Sequence, residues 1–169
     1  SSDLPKYTGG LSTHMQYKNL FLDASIYFAG GNKVYDRYSQ FYMRTNDFSL
    51  ETYNGDQELL SAWQQPGDIT NVPKLTYGLE NSFQEPSSRF LYDGTFARLK
   101  DITLGYELPS NYLSQIGINS IVVFVKATNL YTWAKDKGVK LDPETGSGGY
   151  LSLTTPPVKS IIFGINLKF

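Results

Sequence analysis

From Ser160 to Phe169 large apolar side chains alternate with smaller or polar ones. Ile161, Phe163, Ile165, Leu167 and Phe169 fall on one face, and Gly164, Asn166 and Lys168 on the other. Period-two alternation marks a half-buried β-strand, and a tilted strand of ~9–11 residues crosses a bilayer. Four earlier segments carry the same pattern. In 10–17, Leu11, Thr13, Met15 and Tyr17 oppose Ser12, His14 and Gln16; in 20–29, Leu20, Leu22, Ala24, Ile26 and Phe28 oppose Phe21, Asp23, Ser25 and Tyr27. In 96–108, Ile102, Leu104, Tyr106 and Leu108 oppose Thr103, Gly105 and Glu107. In 119–130, Ile121, Val123, Val125 and Ala127 oppose Val122, Phe124, Lys126 and Thr128. The first two, joined around Lys18-Asn19, predict a hairpin. The start of the third strand, where Ala97 and Leu99 oppose Arg98 and Lys100, reads in the other phase, so a bulge is expected near Lys100-Asp101.

The connections alternate in length. Those at 17–20 and 109–118 are short, whereas 30–95 and 131–159 are long and rich in Gly, Pro, Asn, Asp and Tyr. Bacterial outer-membrane barrels have short periplasmic turns and long extracellular loops, which puts the long pieces outside. Within them, Gln57 to Trp63 predicts a short helix with Asp56 as its cap and Pro66-Gly67 as its stop, and Glu144 to Tyr150 reads as a flexible tip.

Composition supports an all-β chain: 13 Tyr, 10 Phe and 15 Gly, with 18% charged residues. The net charge of −1 offers no basic face for nucleic acid. The longest purely apolar run, Ile121 to Val125, is far too short for a membrane helix, so any membrane role falls to strands. There is no cysteine, hence no disulfide or thiolate chemistry. Ser1 to Gly10 lack the basic start and apolar core of a signal peptide, as expected of a processed product or the later part of a longer one. Five strands cannot close a membrane barrel, and bare strand edges in lipid are prohibitively costly, so partner strands are required.

Six motifs occur in order: Tyr7-Thr8-Gly9-Gly10-Leu11, Tyr17-Lys18-Asn19-Leu20-Phe21-Leu22, Trp63-Gln64-Gln65-Pro66-Gly67-Asp68, Ala97-Arg98-Leu99-Lys100-Asp101-Ile102-Thr103-Leu104-Gly105-Tyr106, Thr128-Asn129-Leu130 and Leu141-Asp142-Pro143-Glu144. With them the chain resembles, from Pro5 to Phe169, the carboxy-terminal part of SusC/RagA-like TonB-dependent transporters of Bacteroidetes outer membranes. The resemblance implies about five strands of a barrel of about 22, closed through the terminal strand with Phe163, Ile165, Leu167 and Phe169. It also implies import of oligosaccharides, or peptides in some members, with a SusD-like surface lipoprotein as lid and energy from TonB. The plug domain lies near the family's amino terminus and is not expected in this chain. So aligned, the chain begins in an extracellular loop. With Ser1-Ser2-Asp3 ahead of the first strand, a nicked or divided barrel held together by strand pairing is the expectation.

Catalytic sets are not found. His14, the one histidine, falls on the polar face of its strand, and no Gly-x-Ser-x-Gly turn is present. Asp142 and Glu144 flank Pro143, with too few oxygen ligands for calcium, and read as a structural turn. Gly146 to Gly149 lack the Lys-Ser/Thr of a phosphate loop. No enzyme activity, metal or cofactor is therefore expected. Sugar rings pack on aromatic side chains, which makes Trp63, Tyr77, Trp133 and Tyr150, with Tyr35, Tyr38 and Tyr42, the substrate-contact candidates; membrane girdles and loop cores compete for the same residues. A secreted soluble β-sandwich that binds carbohydrate would share this composition, but its outward faces should be polar.

Overall fold

The computed structural model describes residues 3–43, 54–76, 87–109, 117–144 and 147–169. Five strands, β1 (Tyr7–Tyr17), β2 (Leu20–Gly30), β5 (Phe96–Glu107), β6 (Ser120–Ala134) and β8 (Ser160–Lys168), form one sheet in the order β1-β2-β5-β6-β8, with every neighbouring pair antiparallel. A smaller sheet has β3 (Lys33–Asp36) at its centre, antiparallel to β4 (Leu91–Asp93) and parallel to β7 (Tyr150–Leu151).

The register holds the five alternations in phase. Leu11 lies opposite Ile26, Leu22 opposite Leu104, Leu104 opposite Val125, and Val123 opposite Ile165, so one apolar band runs across the whole sheet. A slip of one residue in any strand would turn that strand's apolar set to the other face. Among the described residues no second layer covers the band, and Phe163 and Ile165 remain 81% and 65% exposed. A soluble sandwich would bury such a face against another sheet, and this chain forms no such arrangement in its described parts.

Lys18 turns the β1–β2 hairpin in the left-handed region (φ 54°), and Asn19 ties the turn to the next strand: its Nδ2 donates to the Glu107 carbonyl at 2.8 Å, and its own carbonyl accepts from Glu107 N at 2.8 Å. The expected bulge is present. Lys100 is the unpaired residue between Leu99 and Asp101 on both sides of β5, and the compensating turn in β6 places Asn129 at φ 51°.

Strand limits differ from the expected ones mainly at the loop end. β1 begins at Tyr7, and β6 runs on to Ala134, which moves Tyr131 to Trp133 from the predicted loop into the sheet; Leu108 lies just past the end of β5. The described parts of the long connections are also more ordered than their composition suggests. A six-residue helix, α1 (Arg37–Tyr42), starts where buried Asp36 accepts hydrogen bonds from Ser39 N (2.9 Å) and Ser39 Oγ (2.7 Å). The predicted helix after Asp56 is a 3-10 turn limited to Gln57–Ser61, with Asp56 capping it by accepting from Glu58 N at 2.9 Å. Met43, Leu59, Ala62, Val72 and Phe90 form a small buried core, with Tyr35 packed against it. The predicted flexible tip includes a 3-10 turn at Ser147–Gly149 that leads directly into β7.

Candidate functional site

The face opposite the apolar band is polar and internally paired. His14 Nδ1 meets Asp23 Oδ1 at 2.6 Å, and Lys126 Nζ meets Asp101 Oδ1 at 3.1 Å. Ser25 Oγ donates to Asp101 Oδ2 at 3.3 Å, and the Thr128 and Ser160 hydroxyls share a hydrogen bond of 2.7 Å. Two aromatic rings lie flat on this wall because the residue directly across the ladder is glycine: a Cβ at Gly105 would enter the Phe21 ring, and one at Gly164 the Phe124 ring. Such a surface suits contact with water and hydrated solutes, whereas the other face suits lipid.

The apolar face has aromatic residues toward both ends. Phe28, Tyr131 and Trp133 lie toward the loop end, and Tyr17 and Tyr106 toward the turn end. From Leu20 to Phe28 the strand rises ~27 Å at ~3.4 Å per residue, which at a tilt of about 40° gives ~21 Å of height. That is near the ~25 Å apolar band of outer-membrane barrels, with girdles above and below. Trp133, opposite Ala97, thus lies on the apolar side at the loop end. Phe163, Ile165 and Leu167 are exposed on the same bare face at the edge strand, and Phe169, also exposed, follows the end of β8.

At the loop end an ion-pair cluster fastens the 135–144 segment to the sheet. Arg98, on the polar face and only 1% exposed, pairs with Asp142 and, through Nη1, with Glu144 Oε2 at 3.0 Å; Lys100 Nζ reaches Glu144 Oε1 at 2.6 Å. Asp142 Oδ1 also accepts from Glu144 N at 2.9 Å, which closes the turn around Pro143. The expected turn is therefore real, and it also delivers the two carboxylates that a buried guanidinium requires. The same segment grips the loop core: Lys140 Nζ contacts Asp56 at 2.7 Å and Glu58 at 2.9 Å, and Lys135 Nζ contacts Asp93 at 2.9 Å. Hydrogen bonds from Glu58 N and Lys140 hold the Asp56 carboxyl below its usual range. Those from Thr95 and Lys135 hold Asp93 well below it.

The predicted aromatic contacts do not form one group. Trp63 is half-buried, its backbone N–H donating to the Val72 carbonyl at 2.9 Å. Tyr77 lies outside the described residues. Tyr150 sits at the mouth of a cavity of about 310 Å³ between β3, α1 and β7, with the Arg37 guanidinium 4.2 Å over its ring and Tyr35 edge-on at 6.1 Å. Tyr38 and Tyr42 pack on each other at 4.5 Å along α1. Lys33 and Arg37, which also line this cavity, carried no signal in the sequence, because the two short elements that place them are held by tertiary contacts.

No protein-family model matches the chain. TonB-dependent receptor P26 of Formosa agariphila is 29% identical over 99% of this chain, and TonB-dependent receptor SusC of Bacteroides thetaiotaomicron is 26% identical over 95%. The chain spans 17% and 15% of those relatives, about a sixth of their length. The RagAB peptide importer in its "closed-closed" state superimposes with a TM-score of 0.83 at 33% identity, over 99% of this chain and 18% of that one. This chain is similar in sequence and in fold to a barrel segment of TonB-dependent receptors. Receptors of this family are outer-membrane β-barrel proteins, which accounts for a sheet that leaves its largest apolar side chains uncovered and pairs its charges on the other side. The "open-open" RagAB structure matches over 98% of this chain and 17% of that one with a TM-score of 0.80.

Proposed function

We propose that this segment supplies five transmembrane strands and part of the outer mouth of a TonB-dependent, SusC-like transporter in the bacterial outer membrane. With a SusD-like surface lipoprotein as lid, the transporter imports oligosaccharides or peptides. The observation that carries the reading is the continuous apolar band across β1, β2, β5, β6 and β8, without a covering layer among the described residues and backed by a paired polar wall. In lipid the band needs no protein cover, and the wall behind it faces a hydrated lumen. The outer edges of β1 and β8 pair with further strands of a barrel of about 22, and the loop module faces the cell exterior. Energy arrives through TonB by way of a plug contributed by the rest of the transporter.

Affinity capture of this chain from outer membranes in mild detergent, followed by mass spectrometry, tests the reading. Recovery with barrel and plug sequence and with a surface lipoprotein is the expected outcome. Recovery as a water-soluble monomer would overturn it.

A further inference from the structure

We propose that the cavity between β3, α1 and β7 is a carboxylate-binding subsite, where Lys33 and Arg37 take an acidic group carried by the imported oligomer. The inference rests on the transporter reading and adds to it a substrate class, anionic rather than neutral oligomers.

The cavity, about 310 Å³, is bounded among others by Asp3, Lys33, Tyr35, Arg37, Leu91 and Tyr150. That volume lies at the lower end of ligand pockets, enough for one residue of an oligomer and not for the whole. Arg98, Lys100, Lys135 and Lys140 each contact a carboxylate of the chain, whereas Lys33 and Arg37 form no ion pair with a described residue. Two cations therefore line one small concavity against a single acid, Asp3.

Arg37 is also ordered in advance. Its guanidinium lies 4.2 Å over the Tyr150 ring, which is braced edge-on by Tyr35, so the planar head is held by stacking while its N–H edge meets no carboxylate among the described residues. A stacked guanidinium loses little further freedom when a bidentate carboxylate arrives. The same stacking covers one face of Tyr150, which shifts recognition here from ring packing against a sugar to charge-assisted hydrogen bonding. Behind the cations, buried Asp36 and Val34 fix β3, so the two positive ends are presented from a rigid strand and the helix it caps.

The test uses the full-length transporter in detergent and calorimetry with two acidic probes, hexagalacturonate and a glutamate-rich pentapeptide, each beside a neutral oligomer of equal length. The expected result is that at least one acidic probe binds and that K33Q/R37Q weakens it tenfold or more. The neutral probes should be unaffected, and strand content by circular dichroism unchanged. Loss confined to one probe identifies a uronate or a peptide carboxylate as the source. Equal binding of the acidic probes by the double variant, or binding of neutral probes alone by the wild type, overturns the subsite and leaves the transporter intact. A chain that captures no barrel partner in the extraction above instead removes the transporter reading itself.

Discussion

In the five-stranded sheet Phe163 and Ile165 are 81% and 65% exposed, while far from them in the chain Met43, Leu59, Val72 and Phe90 are buried among themselves in the loops. Both regions have apolar side chains; they differ in the medium each meets. The loop module stands in water, so it gathers a core even with connections of low regularity. The sheet leaves most of its apolar band uncovered; in the proposed barrel the hydrocarbon is the apolar phase, and the polar groups satisfy one another on the opposite wall. The two regions are joined by charge: buried Arg98 on the wall is held by Asp142 and Glu144 of the loop.

The junction is where the comparison breaks most easily. Replacing Arg98 by Met keeps the volume and removes the charge that Asp142 and Glu144 were placed to meet. Breaking a buried pair by deleting one partner costs about 3–5 kcal/mol, and the partial exposure of Glu144 puts the expected loss near the lower figure, ~3 kcal/mol. Hydrogen exchange over 135–151 in the assembled transporter should rise sharply while β2 and β5 stay protected. Unchanged protection of that loop would mean that the ion pairs do not anchor it.

The two faces of the sheet are separated by single charges. Val123→Arg or Ile165→Arg, on the bare band, should cost about 2–4 kcal/mol near mid-bilayer. Asn166→Arg, opposite Val122 on the polar wall, should be far milder. Folding titrations in lipid vesicles give the three values. Equal costs on both faces would remove the lipid assignment, and with it the contrast between sheet and loops.

How far this arrangement was legible beforehand follows the same division. The strands could be read because a lipid-facing sheet repeats its alternation over nine to fifteen residues per strand, and the phase change at Lys100 revealed the bulge. β3, β4, β7 and α1 could not, since each has six residues or fewer and depends on partners far away in sequence. Asp142 and Glu144 could be read as a turn, yet nothing local pointed to Arg98, 44 residues earlier. Tyr150 was found as an exposed aromatic, but the guanidinium over its ring required α1, and Trp133 went to the apolar face because β6 continues past the bulge.

Acid should discriminate the two regions most gently. Asp56 and Asp93 are both depressed in the folded loops, so their contribution is fully present above the ordinary aspartate value of 3.8 and is lost as pH falls through the lower folded values. Lys140 runs the other way. Burial alone would lower it, but its pairs with Asp56 and Glu58 prevail and raise it, so its contribution is present below 10.5 and lost as pH rises through the folded value. Both the acid and the alkaline limits thus act on the loop module, by under about 1 kcal/mol for a partly exposed pair such as Asp56–Lys140. The apolar band carries no carboxylate, and its contact with lipid in the proposed barrel has nothing to lose on protonation. Exchange protection, corrected for intrinsic rates and compared at pH 5 and pH 3, should fall at 33–36, 54–62 and 91–95 and hold at β6 and β8. A parallel fall in both would show that the sheet's stability depends on the loops, and that lipid alone does not sustain it.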